Sequence, residues 1–165
     1  MSTIRYIEND LVSPKSEKID IILHQCNCFG KMGAGLAKQI AQKYPEVAKL
    51  EQNFCSVPRN AFAKNCIAKT HDGRVVVNMH SQFRYGTEKR QTNYKALETC
   101  LRLLSTYYFS SQNPNLVIGV PYNLGCGLAG GDWNVVLPII EQFASKVKQT
   151  VVIVKYKKAK TKPFA

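Results

Sequence analysis

The segment from Asp20 to Tyr44 constrains the fold most, because it passes from an apolar strand through a glycine-rich turn into a helix. Residues 19–23 are apolar apart from Asp20, which predicts a buried strand. The residues that follow are polar and include three glycines, at positions 30, 33 and 35. Leu36, Ile40 and Tyr44 then recur every four positions, as expected for one face of a helix.

A strand, a glycine loop and a helix start in this order can make a site for an anion. Glycines let the backbone approach a ligand closely, and the N–H groups of the first helical turn lack acceptors within the helix. The spacing differs from the Gly-x-Gly-x-x-Gly pattern of dinucleotide folds and from the P-loop pattern, so it predicts neither. A tight strand-to-helix turn that binds nothing is the alternative interpretation.

Length and hydropathy are those of one globular domain. The chain has 165 residues, of which 45% are hydrophobic, enough for a real core. No apolar run approaches the length of a membrane span, and no segment of signal-peptide type is present at the N-terminus. We therefore expect a cytoplasmic monomer with no membrane partner.

The six cysteines are expected as free thiols, because disulfides are rare in such a compartment. Cys26 and Cys28 are separated by one residue, whereas zinc knuckles need two, and the sequence has no second close pair. Neither a metal nor a cofactor is therefore expected.

A formal charge of +12 favours an anionic partner. Five lysines lie in the last eleven residues, so the rest of the chain still carries +7 (12 minus 5). We expect the basic tail, residues 157–165, to be a solvated end rather than a binding arm. The remaining charge suits phosphates on either a small molecule or a nucleic acid.

The rest of the chain alternates between strand and helix patterns. Strands are predicted at residues 3–7, 66–70, 74–80, 116–120 and 151–156. Asp72-Gly73 predicts a hairpin between the second and third of these strands. Helices are predicted after Pro45, with Val47, Leu50 and Phe54 on one face, and from Tyr94 to Tyr108, whose apolar residues form one stripe. Asp132 is expected to cap a last helix. Because Pro138 lies within that segment, the sequence does not fix the residue at which regular helix begins.

A second glycine loop, residues 123–131, follows the strand at 116–120. Alternating strands and helices predict an α/β fold, a three-layer α/β/α sandwich with a mixed central sheet. Ligands of such sheets bind outside the carboxyl ends of the strands. Because both glycine loops, 27–36 and 123–131, leave strands at those ends, we expect them to face one pocket.

Two sequence blocks contain the glycine loops: Leu-His-Gln-Cys-Asn-Cys-Phe-Gly-Lys-Met-Gly-Ala-Gly-Leu-Ala-Lys from Leu23 and Pro-Tyr-Asn-Leu-Gly-Cys-Gly-Leu-Ala-Gly-Gly-Asp-Trp from Pro121. With these two blocks the chain resembles the macrodomain family of ADP-ribose-binding modules. The order of elements is also similar, which implies one macrodomain over residues 1–156. The resemblance is greatest to the branch of ADP-ribose 1''-phosphate phosphatases and terminal ADP-ribose glycohydrolases.

The resemblance implies a ligand-binding role for several positions. Asp10 and Leu11 match residues that meet adenine, although a carboxylate at position 10 can also simply form a turn. Tyr156 is placed to stack on adenine. Gly33, Ala34, Gly35 and Leu36 match the loop against one phosphate and the distal ribose. Leu124, Gly125, Cys126, Gly127, Leu128 and Ala129 match the loop that wraps the diphosphate with its N–H groups.

Catalytic roles are less clear from the resemblance. One glycohydrolase lineage uses a lysine and an aspartate at the places that here hold Gln82 and Ala129, so covalent attack by that lysine is not expected. His24, Asn27 and Asp132 remain as candidates, with His24 as general acid or base and Asp132 orienting or activating water. A satisfied histidine and a helix cap are the alternatives. Gln82 and His80 lie where another polar group enters, and Tyr85 is placed to cover the ligand.

Three functions follow from these observations. The first is a metal-independent hydrolase acting at the 1'' position of an ADP-ribose derivative, whether a small molecule, a protein or a nucleic acid. The second is a reader that binds ADP-ribose without cleaving it. The third is a nucleic-acid binder, which the charge supports but no aromatic-and-basic RNA-binding motif accompanies.

Overall fold

The computed structural model describes residues 4–156. The expected strand start at Thr3 and the basic tail of residues 157–165 lie outside the described residues. No helix in the described range is long and apolar enough to cross a lipid bilayer.

A six-stranded sheet forms the middle of the molecule. Its strands are β1 (Ile4–Asn9), β2 (Ile21–Gln25), β3 (Asn65–Lys69), β4 (Val75–Met79), β5 (Val117–Pro121) and β6 (Thr150–Tyr156). The spatial order is β1-β6-β5-β2-β4-β3, in which β3 and β4 pair antiparallel and all other neighbours pair parallel. This is the mixed sheet that the sequence predicts, and β3 and β4 are joined by the expected turn at Asp72-Gly73, where Gly73 has φ +85°.

Helices cover both faces of the sheet. They are α1 (Gly35–Lys43), α2 (Pro45–Phe54), α3 (Pro58–Ala61), α4 (Tyr94–Leu103) and α5 (Trp133–Lys146). Apolar residues of α4 and α5 pack on one face, against alternate residues of β2, β4, β5 and β6. Ile40, Tyr44 and Val47 of the α1–α2 region pack with Ile22 and Val76 on the other face. The three-layer sandwich is therefore confirmed.

Two helices differ in detail from the prediction. In α2, Val47 is buried as expected, but Leu50 is 42% exposed and Glu51 is fully buried. The predicted buried face of α2 is therefore wrong at Leu50, because a prediction from hydropathy alone places a charged residue such as Glu51 on the exposed face. The helix expected to end at Tyr108 is α-helical only to Leu103, and residues 104–108 continue it as a π-helix.

The helix that follows the second glycine loop begins where expected. The Asp132 carboxylate accepts a hydrogen bond from the N–H of Asn134, so Asp132 is the N-cap of α5. Pro138 lies inside this helix, five residues after its first residue.

Candidate functional site

The two glycine loops meet because the strands that precede them are neighbours. β2 and β5 pair in parallel, so the loops that leave their carboxyl ends emerge side by side. Between them lies a cavity of about 760 Å³, which is in the range of small-molecule sites. Its walls include residues 33–37 from the first loop and helix α1, and residues 121–125 and 127–129 from the second loop. The expectation that both glycine loops face one common pocket is confirmed.

The side chain of Asn27 forms the hydrogen bonds that shape the first loop. Asn27 accepts hydrogen bonds from the N–H groups of Phe29 and Lys31 and donates one to the carbonyl of Lys31. Its amide therefore shapes the loop, using its oxygen twice and its NH2 group once, and the residue also lines the cavity. Gly30 has φ +69°, and a Cβ there would lie 3.4 Å from the Cα of Gln52. This turn packs on α2 and directs the next residues into the cavity wall.

Helix α1 begins at the cavity without a side-chain cap. Its N-cap residue is Ala34, which has no oxygen to accept from the first-turn N–H groups. The N–H groups of Gly35, Leu36 and Ala37 have no intrahelical acceptor, and all three residues line the cavity. Because the helix dipole adds partial positive charge there, an anionic group is favoured at this wall.

The second loop is folded by short backbone hydrogen bonds. The N–H of Cys126 donates to the carbonyl of Asn123, and the N–H of Gly131 donates to the carbonyl of Gly125. Asn123 and Gly125 both have positive φ, at 63° and 69°. Alternating backbone handedness of this kind makes a concave surface that suits an anion.

A buried polar network under the second loop was not predicted from the sequence. The Gln25 amide accepts from the Ser81 hydroxyl and donates to Thr92 Oγ1 and Gln82 Oε1. Thr92 in turn donates to the carbonyl of Gly125 at 2.6 Å. A Cβ on Gly125 would lie 2.9 Å from Gln25 Oε1, so only glycine fits here without rearrangement. The network holds the second loop against the ends of β2 and β4.

His24 lies on β2 at the base of the cavity and is almost completely buried, with 2% exposure. Its Nε2 lies 2.5 Å from Asn78 Oδ1, and the thiol of Cys26 is within 3.8 Å of both ring nitrogens. Burial lowers its pKa to about 4, so the ring is neutral near pH 7. Since the Asn78 oxygen is an acceptor, it favours the tautomer with hydrogen on Nε2.

Asp132 does not line the cavity. Its carboxylate caps α5 and its N–H donates to the hydroxyl of Tyr94, while the side chain is exposed. Cys126 also lies outside the cavity walls, and its thiol points toward the carbonyl of Leu124. The other expected residues of the two loops, and Gln82, all line the cavity.

The residues expected near adenine lie at the same sheet edge, farther along. The Asp10 carboxylate accepts from the N–H groups of Val12 and Ser13, which makes a local turn, and Leu11 is buried in the core. Tyr156 ends β6 opposite Asn9 of β1 and is 58% exposed. None of Asp10, Leu11 and Tyr156 lines the cavity, but β6 and β1 follow β5 in the sheet order. The direction from the cavity across β5 and β6 therefore leads toward these residues.

The loop after β4 supplies a third wall that includes Tyr85, Gly86 and Thr87. The Tyr85 ring meets Phe29 edge-on at 6.2 Å, and Phe29 meets Phe83 at 5.3 Å. The Arg84 guanidinium lies 5.9 Å from the Phe29 ring centre. An aromatic and basic rim therefore borders the cavity beside the first loop.

Known proteins share this fold. No protein-family model matches the chain. The ADP-ribose 1''-phosphate phosphatase of Lodderomyces elongisporus is 24% identical over 152 residues, covering 87% of this chain and 94% of that protein. The macrodomain of Mycobacterium tuberculosis DarG is similar in structure, with TM-score 0.77 and 19% identity, over 96% of this chain and 100% of that one. Thermosipho africanus DarTG, solved in complex with ADP-ribose, gives TM-score 0.76 and 22% identity, over 99% of this chain and 44% of that one.

Proposed function

We propose that this chain, which has the macrodomain fold, binds ADP-ribose in the cavity between its two glycine loops and hydrolyses an ADP-ribose derivative at the 1'' position. One observation carries the proposal: the uncapped N-terminus of α1 and the folded second loop line the same cavity. A diphosphate between them meets N–H groups from both sides. The solved complex of T. africanus DarTG with ADP-ribose supports the choice of ligand.

The ligand is placed along the carboxyl edge of the sheet. Residues 124–129 wrap the diphosphate, and residues 33–36 contact one phosphate and the distal ribose. Adenine then lies over β6 and β1, where Asp10, Leu11 and Tyr156 are found. This placement leaves the 1'' carbon near His24 and the rim formed by Phe29 and Tyr85.

Hydrolysis at that carbon adds water across the bond to the leaving group, releasing ADP-ribose and the protonated leaving group. His24 is one of the ionisable side chains that line this cavity, and its unprotonated Nδ1 is a hydrogen-bond acceptor for water. With a pKa of about 4 it orients the water rather than holding the proton. In this scheme Asn27 shapes the loop beside the ribose, and Asp132 positions the second loop through α5.

A reader that binds without turnover is the second candidate. It is favoured by the same three side chains, because each already has a structural partner: His24 with Asn78, Asn27 with its own loop and Asp132 with the start of α5. Gln82 and Ala129 likewise offer no ionisable group.

Two measurements test the proposal and separate the candidates. Calorimetry with ADP-ribose is expected to show one site per chain. Release of free ADP-ribose is then measured from the 1''-phosphate, an acetyl ester, a glutamyl-linked protein and an ADP-ribosylated thymidine oligonucleotide. Turnover of any of them supports the hydrolase, and binding without turnover of all four selects the reader. Absence of binding would refute both.

A further inference from the structure

Three side chains that can bind metals meet in the interior, away from the walls of the cavity. Glu51 and Cys55 lie one turn apart at the end of α2, and His80 directly follows β4. One ligand atom from each lies within 4.8 Å of the other two. Glu51 and His80 are fully buried and Cys55 is 6% exposed. A buried carboxylate is normally paired or bound to a metal, and here Glu51 lies against His80 with the Cys55 thiol beside them as a third possible ligand.

The geometry directs all three groups at one point. Both Glu51 oxygens lie near the same atom, His80 Nε2, at 2.9 and 3.0 Å. The Cys55 sulfur lies 3.5 Å from that nitrogen. His80 Nδ1 is 2.8 Å from the carbonyl of Lys64, which must be an acceptor, so Nδ1 carries the hydrogen and Nε2 is left to face the cluster. A metal-binding histidine is oriented in this way by a carbonyl behind it.

The N–S and N–O distances are close to those between three of the four ligands of a tetrahedral zinc site. With Zn–N and Zn–O near 2.0 Å and Zn–S near 2.3 Å, tetrahedral angles place N and S ~3.6 Å apart and N and O ~3.3 Å apart. The observed N–S separation already agrees, and the N–O separation needs to open by a few tenths of an ångström. The Phe54 ring stacks on His80 at 5.0 Å and holds the imidazole plane.

Charge is compatible with a divalent cation. In the forms that bind a metal, a thiolate, a carboxylate and a neutral imidazole carry two negative charges together, so one divalent ion makes the cluster neutral. Neutral clusters can be buried, whereas unpaired buried charges are costly. The neighbours are apolar, since Cys28, Ala61, Phe54 and Phe62 pack around Cys55.

We propose that Glu51, Cys55 and His80 form a structural site for a divalent metal, with Zn²⁺ the best match to the donor set. The site fastens α2 to the end of β4, next to Ser81 of the network under the second glycine loop. It is independent of the proposed function, because none of its three residues lines the cavity.

Refolding with Co²⁺ tests the site directly. The full chain is unfolded in guanidinium chloride with a chelator and a reductant and is then freed of the chelator. It is refolded with and without one equivalent of Co²⁺, because a buried site is filled during folding. We expect sulfur-to-cobalt charge-transfer absorption and the visible bands of tetrahedral Co²⁺, at one ion per chain. With Zn²⁺ at about 100 times its dissociation constant, the folding equilibrium constant rises about 100-fold.

Variants identify the ligands. Glu51→Gln keeps the shape and a hydrogen bond to His80, and Cys55→Ser removes the sulfur, so both lose the cobalt spectrum. Cys126→Ser removes a thiol outside the cluster, so this variant keeps the cobalt spectrum. Wild-type chain that refolds to the same circular dichroism without any cobalt spectrum or Zn²⁺-dependent stability would overturn the proposal. The trio is then a hydrogen-bonded cluster only. This result does not bear on the proposed function, because ADP-ribose binding and turnover are measured separately.

Discussion

The surroundings of His24 keep its imidazole neutral near pH 7. Burial lowers its pKa to about 4, although the hydrogen bond that His24 donates to the Asn78 oxygen acts in the opposite direction. An unfolded chain restores an ordinary histidine with a pKa near 6.5. Between those two values the unfolded state binds a proton at this position that the folded state does not, so acid favours unfolding.

We therefore expect His24→Gln to remove part of the acid sensitivity of the protein. The stabilising effect of neutral His24 is fully present above about pH 6.5 and is lost as the pH falls toward 4, amounting to about 3 kcal/mol at about 1.4 kcal/mol per pKa unit. Urea unfolding of both proteins from pH 7.5 to 4.5 measures it. Parallel pH profiles of unfolding free energy would contradict the assignment.

Two substitutions of Asp132 distinguish a capping role from a catalytic role. Asp132→Asn keeps an N-cap of similar quality and removes the charge, whereas Asp132→Ala loses the cap at a cost of about 1 kcal/mol. If the residue acts only through α5, Asp132→Asn retains both stability and turnover. Unfolding free energies and rates of ADP-ribose release are compared for the two variants. Loss of turnover in a stable Asp132→Asn protein would show instead that the carboxylate is needed for the reaction.

Gly127 offers a way to fill the cavity without disturbing the fold. A Cβ there meets no atom within 4 Å and its φ is not in the left-handed region, so the chain tolerates a side chain. Gly127→Glu places a negative charge beside the proposed diphosphate and is expected to weaken ADP-ribose binding by at least about 10-fold. Calorimetry measures the affinity. Thr106→Glu, on the exposed side of the π-helical segment, is the charge control and retains full affinity.

At the level of elements, Arg74 ties the segment after β1 to the rest of the sheet. Arg74 directly precedes β4, and its guanidinium donates to the carbonyls of Leu11, Val12 and Ile19 and to the hydroxyl of Tyr44. This single side chain therefore holds the turn that includes Asp10. Lys43 adds a hydrogen bond to the same Val12 carbonyl.

We expect Arg74→Met to destabilise the protein by about 2–4 kcal/mol, because it leaves several partly buried carbonyls without a donor. Arg74→Lys keeps the charge but loses the forked geometry and is intermediate. Lys69→Met removes an exposed charge from the neighbouring strand and is the control. Denaturant unfolding gives the order. If Arg74→Met and Lys69→Met have equal effects, the hydrogen bonds contribute little.

At the scale of the whole molecule, the charge of +12 acts on any long anionic substrate. Small substrates bind through the cavity alone, whereas a nucleic acid extends over the basic surface and releases counterions. The two kinds of substrate therefore differ in their dependence on salt.

For the proposed hydrolase we expect kcat/KM for an ADP-ribosylated oligonucleotide to fall by about 10-fold or more between 50 and 200 mM salt, as for a few phosphate contacts. The value for ADP-ribose 1''-phosphate should change much less. Deleting residues 157–165 tests whether the tail contributes, since it removes four lysines. Equal salt dependence for both substrates would argue against a nucleic-acid substrate.

Local patterns in the sequence were sufficient for the architecture. The period of apolar residues identified the strands and helices, Asp72-Gly73 the hairpin, and Asp132 the helix cap, because each depends on neighbours along the chain. The meeting of the two loops also followed from sequence, since parallel neighbouring strands bring their carboxyl ends together.

What lies between distant segments was decided only by the tertiary structure. Leu50 is exposed and Glu51 is buried because His80, 29 residues later, lies within hydrogen-bond distance of the Glu51 carboxylate. Gln25 becomes the centre of a network only when Ser81, Gln82 and Thr92 are brought to it. His24 loses its ordinary basicity for the same reason, because burial lowers its pKa more than the hydrogen bond to Asn78 on β4 raises it. Periodicity along a chain records which way a residue faces, whereas hydrogen bonding and desolvation depend on which residues folding brings together.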